Sequence, residues 1–154
     1  MTTSHPVVDG YVAAVNASDL AGLVGLFAPS AVLRHPLGTF SGAEEIEGFY
    51  RDVVLAGQAV VAAGSVLHDE SLVMAEITAT SPLDPEAGTA YAIDVFRVDA
   101  DGRIEVLETY YRRSPAFRVG PAESTVGGPA MVTGSATAGR PCGPIPWMLR
   151  RDTA

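Results

Sequence analysis

The sequence predicts an α+β fold in which a curved antiparallel sheet wraps around three N-terminal helices. Three observations carry this expectation. Apolar residues recur at three- and four-residue spacing over the first third of the chain. The pattern then changes to alternation over short stretches separated by turn residues. With 154 residues, 47% of them hydrophobic, the chain can bury a core as a single domain.

"HPVVDGYVAAVNASDLAGLVGLF" reads as two helices broken at "NASD". Val8, Tyr11, Val12 and Val15 form one apolar stripe; Leu20, Leu23, Val24 and Phe27 form the next. Ser18 is the expected N-cap of the second helix, with Asp19 in its first turn. "APSAVLRHPLG" gives a short strand ended by Pro36 and Gly38. "SGAEEIEGFYRDVVLAG" is the third helix: Ser41 caps it, Glu44 and Glu45 suit its positive end, and Gly57 follows it. From Gln58 to Arg113 four antiparallel strands are the simplest reading, punctuated by "HDES", "SPLDPEAG" and "DADG". The domain spans 1–115; 116–154, rich in Gly, Pro, Ala, Ser and Thr, reads as a tail ending near an apolar "IPWML".

The net charge of -8, from 18 acids and 10 bases, argues against a nucleic acid or an anionic membrane as partner, since both need clustered positive charge. The single Cys142 excludes an intrachain disulfide and a cysteine metal cluster. The three histidines have no metal-ligand spacing, and no Gly-rich phosphate loop or nucleophile elbow occurs. No apolar run approaches the ~18–20 residues of a membrane span. "MTTSHPVVDG" lacks the basic and apolar segments of a signal peptide, so a cytoplasmic location is expected.

Four polar residues stand on apolar faces. Asp94 shares one side of "AYAIDVFRV" with Ala90, Ala92, Phe96 and Val98. Either it pairs with an arginine, or the strand is slipped and it faces water, or it is buried and un-ionised. A buried carboxylate without a partner gains its proton, and the resulting acid is a donor suited to a developing oxyanion. Tyr11 and Tyr50 are either core aromatics or a chain of hydroxyls leading to a ligand. His35 ends the face begun by Ala31 and Leu33, as a structural residue or as an acid/base group titrating near neutrality.

These residues stand in an order that resembles ketosteroid isomerases and the SnoaL-like, nuclear-transport-factor-2-like superfamily. The likeness runs over roughly residues 5–115, carried by "YVAAVNASDLAGLVGLFAPSAVLRHPLGTFSGAEEIEGFY" and "AIDVFRVDADGRIEVLETYY". It implies a cone-shaped α+β barrel and a cofactor-independent enzyme, with neither metal nor organic cofactor. By resemblance Tyr11 and a protonated Asp94 form an oxyanion hole, and Tyr50 supports Tyr11. His35, in "RHPLG", stands where the family carries an aspartate base, and Phe27 stands where it carries another tyrosine. The same pattern implies a substrate cavity lined by Phe27, Ala90, Ala92, Phe96, Leu107, Thr109 and Tyr111, with the small alanines leaving room for a bulky ligand. Glu76 is expected at the solvent or an interface.

The implied function is acid/base catalysis on a hydrophobic, carbonyl-containing small molecule, an isomerase of a steroid-like or polyketide-derived unsaturated ketone. A biosynthetic cyclase and a non-catalytic binding module are the alternatives. The opposite sheet side, with Tyr91, Ile93, Val95 and Val106, is apolar enough to predict a homodimer.

Overall fold

The computed structural model describes residues 4–112. The expected tail, 116–154, lies outside the described residues, as does Cys142. Helix α1, Pro6–Asn16, begins at His5, whose Nδ1 accepts the Val7 N–H at 3.2 Å, and Pro6 occupies a first-turn position that needs no donor. It buries Val8, Tyr11 and Val15 of the stripe read from the sequence, with Val7 and Ala14 beside them, while Val12 is half-buried. Helix α2, Leu20–Gly25, is capped one residue later than expected. Ser18 lies in the left-handed region (φ 53), so Asp19 becomes the cap and accepts the Gly22 N–H at 2.9 Å.

Strand β1, Phe27–His35, turns back into β2, Gly38–Ser41, which leads into α3, Gly42–Phe49. The Ser41 hydroxyl makes no capping bond. The Glu45 carboxylate, one residue beyond the capping-box position, instead accepts the Ser41 N–H at 2.6 Å. The helix then widens into a π turn over Tyr50–Leu55, with Tyr50 and Val54 buried. Strands β3 (Val60–Asp69), β4 (Leu72–Thr80), β5 (Ala90–Val98) and β6 (Ile104–Tyr111) follow as the predicted meander.

The α+β expectation holds: three helices precede the meander, and a six-stranded sheet runs in the order β2-β1-β6-β5-β4-β3. One pairing departs from the antiparallel pattern. β1 runs parallel to β6, with Leu33 beside Leu107 and Arg34 beside Glu108, so the sheet is mixed. This pairing brings the end of β1 to the last strand and sets His35 beside the inner residues of β6. Helix α1 is tied to the β3 edge by Asn16, whose amide donates to the Val61 carbonyl and accepts the Val61 N–H, both at 2.8 Å. The core fills the space between helices and sheet, with Val8, Leu23, Phe96, Ile104 and Leu107 fully buried. Burial of such side chains contributes roughly 1.5–3 kcal/mol each.

Candidate active site

The hollow between α1, the α3 π turn and the inner sheet face is lined by Tyr11, His35, Tyr50, Ala90, Ala92, Asp94, Thr109 and Tyr111. Leu33, Phe49, Val54, Val61, Ile77 and Ala79 complete its apolar wall. The empty space is about 450 Å³, including the open mouth.

The register explains the polar cluster. Asp94 pairs with Thr109 across β5 and β6, and Ala92 pairs with Tyr111, so Tyr111 is the diagonal neighbour of Asp94 on the same face. Asp94 is 2% exposed, and its Oδ1 atom has no hydrogen-bond partner among the described residues. Burial pushes its pKa up to about 7, an effect tempered by the Thr109 hydroxyl. Of the three placements open to the sequence, the structure therefore has the buried one. No arginine pairs with it among the described residues, and it does not face water.

Tyr11 and Tyr50 approach the same hollow from the helices. The Tyr50 hydroxyl donates to the Tyr11 hydroxyl at 3.4 Å. Burial raises both phenols well above the ordinary tyrosine range, so both keep their protons at neutral pH. The Tyr11 oxygen thus accepts, and its own proton is not the one shared with Tyr50. Tyr11 is held edge-on by Tyr50 (6.1 Å, 71°) and by Phe96 (5.6 Å, 74°).

His35 lines the same hollow from the end of β1, where it is half-buried. Its ring packs at 4.9 Å on Phe49; its Nδ1 accepts the Leu37 N–H at 3.1 Å, and its Nε2 lies 3.0 Å from the Tyr111 hydroxyl. Burial pulls its pKa down to about 4, so the imidazole is neutral at pH 7. Both ring nitrogens are thus engaged in the resting protein. Arg34, the next residue, points to the outer face and pairs there with Glu108, as strand alternation requires. Glu76 is exposed on that outer face and accepts the Ser65 N–H at 3.1 Å.

Three residues expected to line the cavity do not. Phe96 and Leu107 face inward but are fully buried, packed where the sheet closes on the helices, and Phe96 serves as the surface on which Tyr11 rests. Phe27 lies at the start of β1, the far end of that strand from His35, and packs 5.8 Å from the Tyr50 ring. Sequence reasoning missed the wall from β3 and β4, and it missed the bond between His35 and Tyr111. The β4 residues were visible as an alternating apolar set. The His35–Tyr111 contact depends on the parallel β1–β6 pairing, which leaves no local trace. Among the described residues no three His, Cys, Asp or Glu side chains come together to hold a metal ion, and no helix is long and apolar enough to cross a membrane.

A family model of the SnoaL-like domain matches residues 8–107. Three solved structures are similar in fold. A candidate polyketide cyclase from Sinorhizobium meliloti is 20% identical, with 70% of this chain and 95% of that one covered, at a TM-score of 0.62. RV0760c from Mycobacterium tuberculosis, solved in complex with estradiol-17beta-hemisuccinate, is 18% identical, with 69% and 91% covered, at a TM-score of 0.61. The epoxide hydrolase/cyclase-like enzyme SalBIII, of pyran ring formation in the polyether salinomycin, is 22% identical, with 69% and 88% covered, at a TM-score of 0.59.

Proposed function

The chain belongs to the SnoaL-like domain family, and we propose that it is a cofactor-independent acid/base enzyme that holds the carbonyl oxygen of a hydrophobic small molecule between Tyr11 and un-ionised Asp94. The observation that carries this reading is the carboxyl oxygen Oδ1, buried without a partner among the described residues in a hollow shared with a phenol that accepts from Tyr50 and so keeps its own proton to give. Buried polar atoms are almost always satisfied, and exceptions gather at functional sites. Two donors converging on one oxygen stabilise the charge that develops there when a neighbouring C–H bond gives up its proton.

Isomerisation of a steroid-like or polyketide-derived unsaturated ketone is the simplest such reaction. A base takes a proton beside the carbonyl, the electron pair moves into the oxygen held by Tyr11 and Asp94, and the proton returns at the far end of the dienolate. His35 is the group proposed to move that proton. With Nδ1 accepting from Leu37, it does so at Nε2 only after its own proton has shifted to Nδ1 and the Leu37 bond has broken. That demand favours the second reading, a natural-product cyclase. There the donors activate a carbonyl or epoxide oxygen for ring closure, and no strong base is required. The similarity in fold to SalBIII supports keeping it.

The test is turnover of a β,γ-unsaturated ketone, followed by the absorbance of the conjugated product, and ring closure of a hydroxy-enone. Tyr11→Phe and Asp94→Leu are expected to lose roughly 10²–10³ in kcat on whichever substrate is turned over. Turnover that is the same in both variants as in the parent discards the assigned roles. Binding of an oxygenated ligand with no turnover of either substrate class leaves a binding module. We further propose that the enzyme acts in the cytoplasm as a homodimer, in which a second copy covers the half-buried and exposed apolar residues Tyr91, Ile93, Val95 and Val106 of the outer face. Sedimentation as a monomer at micromolar concentration contradicts the dimer.

A further inference from the structure

The two oxygens of the Asp94 carboxyl have different surroundings. Oδ1 is buried and has no hydrogen-bond partner among the described residues, whereas the Thr109 hydroxyl bonds the same carboxyl. That bond is therefore made at the other oxygen, Oδ2. The register provides for it. Asp94 and Thr109 stand directly opposite each other on β5 and β6, and both line the hollow. Residues so paired have Cβ atoms about 5 Å apart, within reach of a hydroxyl and a carboxyl.

A hydroxyl can donate or accept, and a carboxyl can carry its proton on either oxygen. Here the two choices are linked. While the hydroxyl donates to Oδ2, that oxygen is an acceptor and the acid proton belongs on Oδ1. A proton on Oδ2 would make the hydroxyl turn and accept, and would leave Oδ1 a bare, buried acceptor. Buried polar atoms without partners are costly, so the first arrangement wins once a ligand oxygen meets Oδ1.

No charged side chain overrides this pair among the described residues. Tyr11 from α1, Tyr50 from the π turn and Tyr111 from β6 are the titratable groups that sense the Asp94 charge. Burial raises all three, so they stay uncharged at neutral pH. His35, from β1, lines the same hollow as a neutral imidazole. From β4 the cross-strand neighbour is Ala75, whose side chain has neither charge nor donor. Burial pushes the carboxyl up, and the Thr109 bond, which favours the ionised form, pulls against it; the outcome is about 7.

We propose that Thr109 is a positioning residue that acts through Asp94: its hydroxyl holds Oδ2 as an acceptor and so presents the acid proton on Oδ1 to the ligand oxygen. The inference rests on the carbonyl-holding reading of Tyr11 and Asp94, and it adds the group that orients the second donor. It also makes the upper pH bound of the site a property of one cross-strand pair. A hydroxyl on β6 decides where the acid on β5 lets go of its proton.

Two measurements on the full chain test this. The first needs no ligand: the ¹³C shift of the Asp94 carboxyl carbon is followed against pH in Thr109→Val, Thr109→Ala and Thr109→Ser. The first variant keeps the branched shape, the second lessens the bulk, and both lack the hydroxyl that the third retains. Without the hydroxyl the midpoint is expected to rise by about one pH unit or more, a tenfold gain in proton affinity on losing one bond to the charged form. In Thr109→Ser it should stay in place. A merely structural role would change stability and leave the midpoint unmoved.

The second measurement is the affinity of 1-tetralone, a ketone with no titrating group, from pH 5 to pH 9. In the parent the affinity should fall through the Asp94 midpoint, and in the two hydroxyl-free variants that fall should move to higher pH. At pH 5, where every variant holds the acid proton, those two should bind about fivefold more weakly, the effect of a hydrogen bond no longer aimed.

The outcomes separate the two readings. A midpoint that stays put in both hydroxyl-free variants, or that rises as far in Thr109→Ser, overturns the inference. So does a raised midpoint with affinity at pH 5 unchanged, which removes the orienting role. Affinity in the parent that is the same at pH 5 and pH 9, and indifferent to Tyr11→Phe, removes the carbonyl anchor itself and this inference with it.

Discussion

Tyr110 and Tyr111 are adjacent in β6, and Glu108 and Asp94 are acids on the paired strands β6 and β5, yet the two faces of the sheet treat them in opposite ways. On the outer face the Tyr110 hydroxyl donates to Glu108 at 2.5 Å, and Arg34 pairs with the same carboxylate. Those two bonds hold the Glu108 carboxyl below the usual range, so it is ionised. On the inner face Tyr111 meets a neutral imidazole, and Asp94 meets no cation among the described residues and is pushed up to about 7. The difference is one step of strand alternation. It teaches that the side of the sheet, far more than the residue type, decides whether an acid in this fold is a charged surface group or an un-ionised donor.

Stability against pH breaks this comparison most forcefully if it is wrong. The folded-state pKa of Asp94 lies above its unfolded value, so the fold holds the proton more tightly than the open chain does. Its burial is tolerated fully below about pH 4, and stability is lost as pH rises through about 7. Asp94→Asn should therefore stabilise the protein at pH 8 by up to about 4 kcal/mol, and by little at pH 4. Urea unfolding of both proteins at the two pH values checks this. Glu108→Gln has the opposite sign, since it removes an ionised and paired carboxylate.

The pH dependence of turnover is the next largest effect. If only un-ionised Asp94 holds the carbonyl oxygen, kcat/KM falls tenfold per pH unit above about pH 7. Asp94→Asn keeps a donor at every pH and should flatten that limb, whereas Glu108→Gln should leave it in place. Adjacent tyrosines sharpen the contrast further. Tyr111→Phe, which removes the hydroxyl that meets the His35 imidazole in the hollow, is expected to lower kcat/KM, and Tyr110→Phe should leave it unchanged. The smallest effect belongs to Arg34→Ala. Its exposed ion pair with Glu108 contributes at most about 1 kcal/mol, and the contribution weakens as salt is added.

Much of this was legible in the residues themselves. Helical spacing placed Tyr11 inward on α1, and alternation placed Asp94, Thr109 and Tyr111 on one face and Arg34 on the other. These patterns are local and survive any error in strand order. Strand pairing is not local: the parallel contact of β1 with β6 joins residues some seventy positions apart, so the meeting of His35 with Tyr111 had no signature. The π turn after α3 was hidden for a different reason, because the shift of its hydrogen bonds by one residue leaves the apolar spacing almost unchanged. Phe96 and Leu107 are assigned to the cavity because pattern gives the face of a residue but not its depth, and Phe27 because the resemblance puts a tyrosine at its position on the second helix, where the structure has the first residue of β1. The cap at Asp19 was missed because Ser18 takes a left-handed conformation that its side chain does not announce.

The central claim is that burial lets the Asp94 carboxyl keep its proton up to about pH 7, far above the range of a solvated aspartate. The direct measurement is the ¹³C chemical shift of its carboxyl carbon, assigned through Asp94→Asn and followed from pH 4 to pH 9. A midpoint near 7 is the result expected from burial without a cationic partner. A midpoint near 4, the value of an ordinary solvated aspartate, would contradict it.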